Sequence, residues 1–232
     1  MTILSACQSA AVRLVGRKPT TIFSSQKKFE MQLADLVQEA AVDVAKAFEW
    51  QALTVLVEHQ GDGATIAFDF PNGFDRMPVK SRVHSATWQQ SGYRQARDLD
   101  EWMNLQTYLA AGTPGFWIVL DGKMQIYPPM GSSEVAKYYF ITDEIARDKD
   151  GVSKSVIDKD DDVFKLDERL LTLSLVWRWR DMNGLDYSEA MANYEQALAQ
   201  IGGADKGART IAMGRARLPY DVDMAYPGII IP

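Results

Sequence analysis

The sequence predicts an α+β fold: a helical bundle formed by N- and C-terminal helices, with an inserted antiparallel β-domain and an extended C-terminal tail. Apolar residues recur at three- and four-residue spacing in residues 1–50 and again in residues 166–203. Short β-branched and aromatic runs, separated by turn signals, fill residues 51–142. Because strands and helices are segregated along the chain, the βαβ alternation of a nucleotide-binding sheet is excluded.

Residues 1–50 are predicted to supply the N-terminal helices of the bundle. Gly16 is expected to end the first helix, and Ser24 or Ser25 is expected to cap the second, which ends near Trp50. The second helix carries an apolar stripe about 100° wide, which is typical of a helix lying on a core. Its members are Phe29, Leu33, Leu36, Val37, Ala40, Val44, Ala47 and Phe48.

Residues 51–142 are predicted to form the β-domain. The predicted strands cover residues 53–57, 65–68, 79–88, 116–120, 123–127 and 135–142. The turn signal Gln60-Gly61-Asp62-Gly63 predicts that the first two strands form a hairpin. Asp121-Gly122 predicts a second hairpin, because both central positions of a type I′ turn need positive φ. A short helix is predicted over 98–109.

Residues 143–165 are predicted to be an acidic connecting loop. Between positions 143 and 168 there are ten acidic side chains and five basic ones. Residues 166–203 are predicted to hold the C-terminal helices of the bundle, which Gly184 interrupts and Gly202-Gly203 ends.

Residues 204–232 are predicted to form an extended C-terminal arm, because they contain three prolines and no sustained periodicity. Such an arm favours binding to another protein, by strand addition or by filling a groove. The alternatives are packing back on its own domain and contact with DNA. The candidate interface residues of the arm are Arg209, Ile211, Met213, Arg215, Arg217, Tyr220, Tyr226, Ile229, Ile230 and Ile231.

The composition excludes several classes of protein. The 232 residues carry a formal net charge of −6, and a pI near 5.0 argues against a protein that coats nucleic acid. One cysteine excludes a disulfide framework and a cysteine-rich zinc module. No run approaches the ~20 apolar residues that span a bilayer, so no membrane partner is expected. Leu4-Ser5-Ala6-Cys7 resembles a lipoprotein cleavage box but lacks the segment that should precede it, so Cys7 is interpreted as a buried thiol.

Motifs that would carry catalysis are missing from the sequence. It has no phosphate-binding G-x-x-x-x-G-K-[ST] motif, no G-x-G-x-x-G and no G-x-S-x-G. The aspartates at 158–162 do not continue as a calcium-binding EF-hand loop, since Val163 and Arg169 stand where glycine and glutamate are needed. They are interpreted as a solvated loop before a helix N-terminus. We therefore predict no enzymatic activity, no catalytic residue, no cofactor and no metal site.

Trp177-Arg178-Trp179-Arg180 is the most unusual run in the predicted helices. Trp177 and Trp179 lie about 200° apart on a helix and cannot form one stacking platform. Trp177 is therefore predicted to lie in the core, whereas Trp179 and Arg180 are candidate interface residues that face a neighbouring helix or subunit. Plain core packing and nucleic-acid binding are the alternatives.

The order of these segments, with several short motifs, resembles the head-to-tail adaptor (head-completion or connector) proteins of short-tailed bacteriophages. The resemblance covers about residues 2–203. The motifs that carry it are Thr2-Ile3-Leu4-Ser5-Ala6-Cys7-Gln8, Lys18-Pro19-Thr20, Phe48-Glu49-Trp50-Gln51-Ala52-Leu53-Thr54, Phe70-Pro71-Asn72-Gly73-Phe74-Asp75-Arg76-Met77, Ile126-Tyr127-Pro128-Pro129, Asp160-Asp161-Asp162, Leu175-Val176-Trp177-Arg178-Trp179-Arg180 and Gly184-Leu185-Asp186-Tyr187.

The resemblance implies a structural protein of the virion neck, made in the host cytoplasm. Such adaptors form a ring, commonly of twelve copies, beneath the portal protein. The ring extends the DNA channel, through which packaged DNA passes without sequence-specific binding, and docks the nozzle or tail-tube proteins of the tail. The alternatives are another phage structural protein (a tail-completion or minor capsid component), a metal-dependent enzyme using the aspartate-rich loop, and a DNA-binding regulator.

Overall fold

Helices from both ends of the chain share one core, while the central residues form a sheet with a core of its own. The computed structural model describes residues 2–79, 81–87, 92–108 and 115–206. Its helices are α1 (Ile3–Val15), α2 (Lys28–Ala47), α3 (Leu99–Tyr108), α4 (Glu168–Met182) and α5 (Ser188–Asp205). Its strands are β1 (Thr54–Gln60), β2 (Ala67–Asp69), β3 (Phe74–Arg76), β4 (Val83–Ser85), β5 (Gly92–Gln95), β6 (Phe116–Leu120), β7 (Lys123–Tyr127), β8 (Val135–Thr142), β9 (Ala146–Arg147), β10 (Ser153–Lys154) and β11 (Val163–Phe164). The predicted α+β class is confirmed.

The helical core is arranged around α4, which contacts α1, α2 and α5. Its fully buried side chains include Ile3, Cys7, Leu33, Val37, Val44, Leu170, Leu171 and Leu175. These residues recur at helical spacing, so the apolar stripes seen in the sequence are the faces that pack together. None of the helices in the described ranges is long and apolar enough to cross a membrane.

The helix ends follow the predicted glycine signals in α1 and α4. Gly16 adopts the left-handed conformation (φ 70°), and its N–H donates to the carbonyl of Val12 at 3.1 Å. Gly184 is also left-handed (φ 66°) and separates α4 from α5. The predicted cap of α2 at Ser24 or Ser25 is wrong, because α2 begins only at Lys28. The preceding connector is held by contacts with the segment before α4, described below.

The predicted end at Gly202-Gly203 is also wrong, because α5 continues to Asp205. Gly202 is a packing residue within the helix: a β-carbon there would lie 2.5 Å from the ring of Phe48. Asp205 then accepts a hydrogen bond from the Gln51 main chain at 2.9 Å. Contacts with the segment after α2 therefore stabilise the helix beyond Gly202 and Gly203, although two adjacent glycines usually end a helix.

The central sheet has the strand order β1-β8-β4-β5-β6-β7-β2, and β3 pairs separately with β8. All these pairs are antiparallel except β5 with β6, which is parallel, so the predicted antiparallel domain is corrected to a mixed sheet. The chain returns from β5 through α3, and a crossover of this kind makes a parallel pair possible. The fully buried side chains of the second core include Val83, Met124, Ile126, Met130 and Tyr138.

The hairpin predicted at Asp121-Gly122 is confirmed. β6 and β7 pair along five residues each, with Leu120 opposite Lys123. Asp121 (φ 53°) and Gly122 (φ 67°) both adopt the positive φ values that the two-residue turn requires.

The predicted hairpin between residues 53–57 and 65–68 is wrong. β1 pairs along its whole length with β8, and β2 pairs with β7. The glycine-rich turn docks on a distant segment: the N–H of Gly61 donates to the carbonyl of Glu134 at 2.9 Å and the N–H of Gly63 donates to that of Met130 at 2.8 Å. Because these contacts hold the turn against residues 130–134, β1 and β2 lie apart in the sheet and do not pair with each other.

The strand predicted over 79–88 shortens to β4, and residues 80 and 88 lie outside the described residues. The helix predicted over 98–109 is present as α3, and residue 109 lies outside them.

Residues 143–165, the predicted acidic connecting loop, contain three short strands. β9 pairs with β10 on one side and with β11 on the other, which gives a small three-stranded sheet. Ile145, Ala146, Ile157 and Phe164 are buried in the helical core. These four buried apolar residues therefore attach the acidic segment to the helices.

Candidate interaction surfaces

Trp179 and Arg180, the two candidate interface residues in α4, make their contacts within the chain. The Trp179 Nε1 donates to Oε1 of Gln32 in α2 at 3.0 Å, and its ring lies edge-on to Phe29 with centroids 5.4 Å apart. Arg180 Nη1 donates to the carbonyl of Asp186 at 3.3 Å, across the turn between α4 and α5. Trp179 thus faces the neighbouring helix α2, one of the two predicted possibilities, and a contact of either residue with another subunit stays a prediction.

Trp177 and Arg178, the first two residues of the same run, contact the helices on either side of α4. Arg178 donates through both terminal nitrogens, to Glu39 and to Asp43 of α2. Its guanidinium also lies 4.6 Å from the ring centre of Trp177, a cation–π distance. Trp177 in turn lies 6.3 Å from the ring of Tyr194 in α5. The run is accounted for by packing between helices of one chain, which leaves nothing in it that requires nucleic acid.

Several exposed apolar side chains lie in the segments where α2 begins and where α4 turns into α5. We call this surface the helical tip; its members are Met31, Met182, Leu185, Tyr187 and Met191. Gln32 joins the two parts, because its Nε2 donates to Oδ1 of Asn183 at 3.4 Å. Methionine adapts its shape to different partners, so this composition suits a protein-binding surface. Tyr187 and Met191 recur at helical spacing with Ala190 and Tyr194, yet the first two are exposed and the last two are buried.

The end of α5 fixes the point where the chain enters the C-terminal arm. Asp205 accepts two hydrogen bonds from Gln51, one from the main chain and one from the side-chain amide. The Lys206 ammonium lies 5.6 Å from the ring centre of Phe48. The arm therefore departs beside the residues that immediately precede β1. The candidate residues Arg209, Ile211, Met213, Arg215, Arg217, Tyr220, Tyr226, Ile229, Ile230 and Ile231 lie outside the described residues.

The aspartates before α4 act as a structural clamp, which corrects their interpretation as a solvated loop. Asp160 accepts the main-chain N–H groups of Ile22 and Phe23, at 3.0 and 3.3 Å, and the hydroxyl of Thr21. Its main-chain carbonyl accepts the N–H of Leu4 at 3.1 Å. One residue thereby fixes both the N-terminus of α1 and the connector to α2. Within the described part of the chain, no group of three or more potential metal ligands comes together.

His59 also has a structural position, inside the β-domain. Its Nε2 lies 2.9 Å from the hydroxyl of Tyr138, and its ring lies 5.0 Å from that of Phe68. Burial lowers the pKa of His59 and favours the neutral ring. The arrangement is that of a histidine satisfied by one hydrogen bond within aromatic packing.

Cys7 is fully buried, as the sequence predicts. Burial raises the pKa of its thiol from 9.0 to about 12, and the charges of Asp160 and Glu168 act in the same direction. We expect a thiol reagent at pH 8 to leave Cys7 unmodified in the folded protein and to modify it completely in urea. Because the unfolded thiol ionises near pH 9, the free energy of unfolding should decrease as the pH rises from there towards 12. Rapid labelling without denaturant would contradict the buried position.

A comparison with protein families identifies the family to which the chain belongs. The model of the family described as SU10 adaptor protein matches residues 1–219. No curated protein matches the chain. The family match agrees with the resemblance drawn from the sequence motifs, and it extends past the last described residue into the arm. The chain therefore belongs to the SU10 adaptor protein family, whose name designates a phage adaptor.

Proposed function

We propose that the protein forms a ring beneath the portal of a phage head, extends the DNA channel and docks the tail. The observation that carries this proposal is the family match over residues 1–219. A closed ring needs a heterologous interface, in which one face of each copy meets a different face of the next. The helical tip at one end of the helices and the exposed side chains of the central sheet are two such different faces.

The arm is proposed as the part that binds other proteins of the neck: the portal, a neighbouring copy or the nozzle or tail-tube proteins. Its first segment falls within the family match, so it belongs to the adaptor itself. An extended segment gains affinity from main-chain hydrogen bonds and from apolar side chains placed in pockets. Trp179 and Arg180 stabilise the turn beside the helical tip, and a contact between this region and the next copy belongs to the same proposal.

The charge of the protein suits a channel through which DNA passes. The chain carries a net charge of −6, and surfaces of one sign repel a polyanion of the same sign. An adaptor of this composition is expected to let packaged DNA pass without sequence-specific binding. We propose twelve copies in the ring, the number that the resemblance to head-to-tail adaptors implies.

The experiment is a truncation placed according to the structure. A chain that ends at Lys206 keeps α5 and its contacts with Gln51, so its thermal unfolding midpoint should stay within a few degrees of that of the full chain. We expect the full chain to assemble into rings on purified portal, seen by electron microscopy, and the truncated chain to fail.

The two possible failures have different meanings. Rings of normal yield from the truncated chain would contradict the role of the arm alone. Failure of the full chain to bind portal, or its location away from the neck in virions imaged by cryo-electron microscopy, would contradict the adaptor function.

A further inference from the structure

The open edge of β1 is the first observation. β1 pairs with β8 along all seven residues, from Thr54 opposite Ile141 to Gln60 opposite Val135. No strand in the described ranges pairs with its other edge. β1 contains neither proline nor glycine, and the opposite end of the sheet is the three-residue strand β2. A long regular edge of this kind is a template for one more strand unless something covers it.

The side chains beside this edge suit a protein partner. Leu56 is 47% exposed and lies opposite Tyr139, which is 52% exposed. Two residues along the same face, Glu58 forms a 2.7 Å ion pair with Lys137. The face therefore presents an apolar pair followed by an ion pair, whose carboxylate lies on the edge strand.

The arm begins near the start of β1 and has a pattern that suits a strand. α5 ends against Gln51, three residues before the start of β1. The arm as a whole has no sustained periodicity, but within residues 209–217 larger side chains alternate with small ones, which is the two-residue period of a strand. The larger ones are Arg209, Ile211, Met213, Arg215 and Arg217, and the small ones between them are Thr210, Ala212, Gly214 and Ala216. The family match extends to residue 219 and includes this segment.

We propose that residues 209–217 of one copy add as an antiparallel strand to β1 of the next copy. The inference rests on the proposed ring and names the contact that joins its members. In a register with Ile211 opposite Leu56, Arg209 falls opposite Glu58 of the neighbouring copy. The apolar pair is then covered by an apolar side chain, and the carboxylate gains a guanidinium.

Antiparallel pairing favours a second copy over the same chain. To run antiparallel to its own β1, the arm would first have to pass seven residues, about 23 Å, and then turn. The residues left for pairing would include Pro219, which has no N–H to donate. An arm that reaches outward meets no such restriction, since residues 207–232 span up to about 85 Å when extended.

A disulfide experiment in phage particles tests both the contact and its direction. In the double variant Leu56→Cys with Ile211→Cys, facing residues of paired strands lie within disulfide range. We expect a ladder of covalent multimers on a non-reducing gel of virions. The control pairs Leu56→Cys with Ala212→Cys, which points to the opposite face and should give no ladder. Cys7 is fully buried and takes no part.

Each result has a definite meaning. A monomer with an internal disulfide would overturn the proposal in favour of pairing within one chain. Particles with the protein at the neck and no disulfide would also overturn it, while leaving the adaptor function intact. Absence of the unmodified protein from the neck would instead contradict the adaptor function.

A proline series gives an independent readout that does not depend on cysteine chemistry. Proline placed singly at positions 209–217 should reduce particle yield at every second position, because only alternate N–H groups of an edge strand face the partner strand. Equal tolerance at all positions would overturn strand addition.

Discussion

Replacement of Asp162 by alanine is expected to lower the free energy of unfolding by about 3 kcal/mol, since breaking a buried ion pair from one side leaves its partners unsatisfied. The Asp162 side chain is only 1% exposed. Its Oδ2 accepts from Nζ of Lys154 at 2.8 Å and from the N–H groups of Asp158 and Lys159, at 3.1 and 3.0 Å. The loop that it organises also presents the carbonyl that accepts the N–H of Ile3 at 2.7 Å. The loss should therefore reach α1.

The neighbouring residue provides a matched control. Asp161 is exposed, and Asp161→Ala removes the same charge from the same loop. Surface substitutions of this kind usually change stability by no more than about 0.5 kcal/mol. Urea unfolding followed by circular dichroism measures both variants. Equal losses in the two would mean that the charge of the segment, and not the hydrogen bonds of Asp162, stabilises the fold.

Two adjacent glycines in α5 are expected to respond to alanine in opposite directions. In Gly202→Ala the new β-carbon would lie 2.5 Å from the ring of Phe48. Moving that ring away would disturb its edge-on contact with Trp50, whose centroid is 5.5 Å away. We expect a loss of about 1–3 kcal/mol, the usual cost of overpacking. Gly203 is exposed, and a β-carbon there would meet no atom within 4 Å outside the backbone of its own helix. Gly203→Ala should therefore add about 0.5–1 kcal/mol by raising helix propensity.

Urea unfolding measures the stability of this pair of variants, and hydrogen exchange in the same pair tests the anchoring of the arm. Where Phe48 is displaced, the contact between Asp205 and Gln51 should weaken, and hydrogen exchange of the Gln51 amide should accelerate in Gly202→Ala alone. If Gly202→Ala were as stable as Gly203→Ala, the close packing between α5 and the segment after α2 would be wrong.

The sequence predicted those parts of the fold that local chemistry decides. Gly16 and Gly184 end their helices because each stands at a position that needs positive φ. Asp121 and Gly122 form the turn of the hairpin for the same reason, since both of its central positions need positive φ. The hairpin at Gly61 was predicted wrongly because its turn is decided by a segment 70 residues away, around Met130 and Glu134. Such long-range pairing leaves no trace in the turn itself, so sequence pattern alone gives no means of choosing it.

For the interaction surfaces too, the sequence pattern indicated what local geometry decides and missed what long-range packing decides. The pattern in α4 correctly indicated that Trp177 and Trp179 point to different sides, because helical geometry fixes that angle. The pattern did not indicate the helical tip, since Met31 comes from a different helix and its exposure depends on how α2 meets α4. The structural role of Asp160 was also hidden, because a run of aspartates has the same composition whether it is solvated or holds distant amides.

The distance along the chain between α1 and its partners has a consequence for the order of folding during synthesis. Ser5 donates to Glu168 at 2.6 Å, and these residues are 163 positions apart. A ribosome that adds about 5–20 residues per second needs roughly 8–30 s to cover that interval. The β-domain is synthesised within this interval and is complete before α4 is made. α1 is made well before α4, so its apolar face stays uncovered in the nascent chain until α4 has been synthesised.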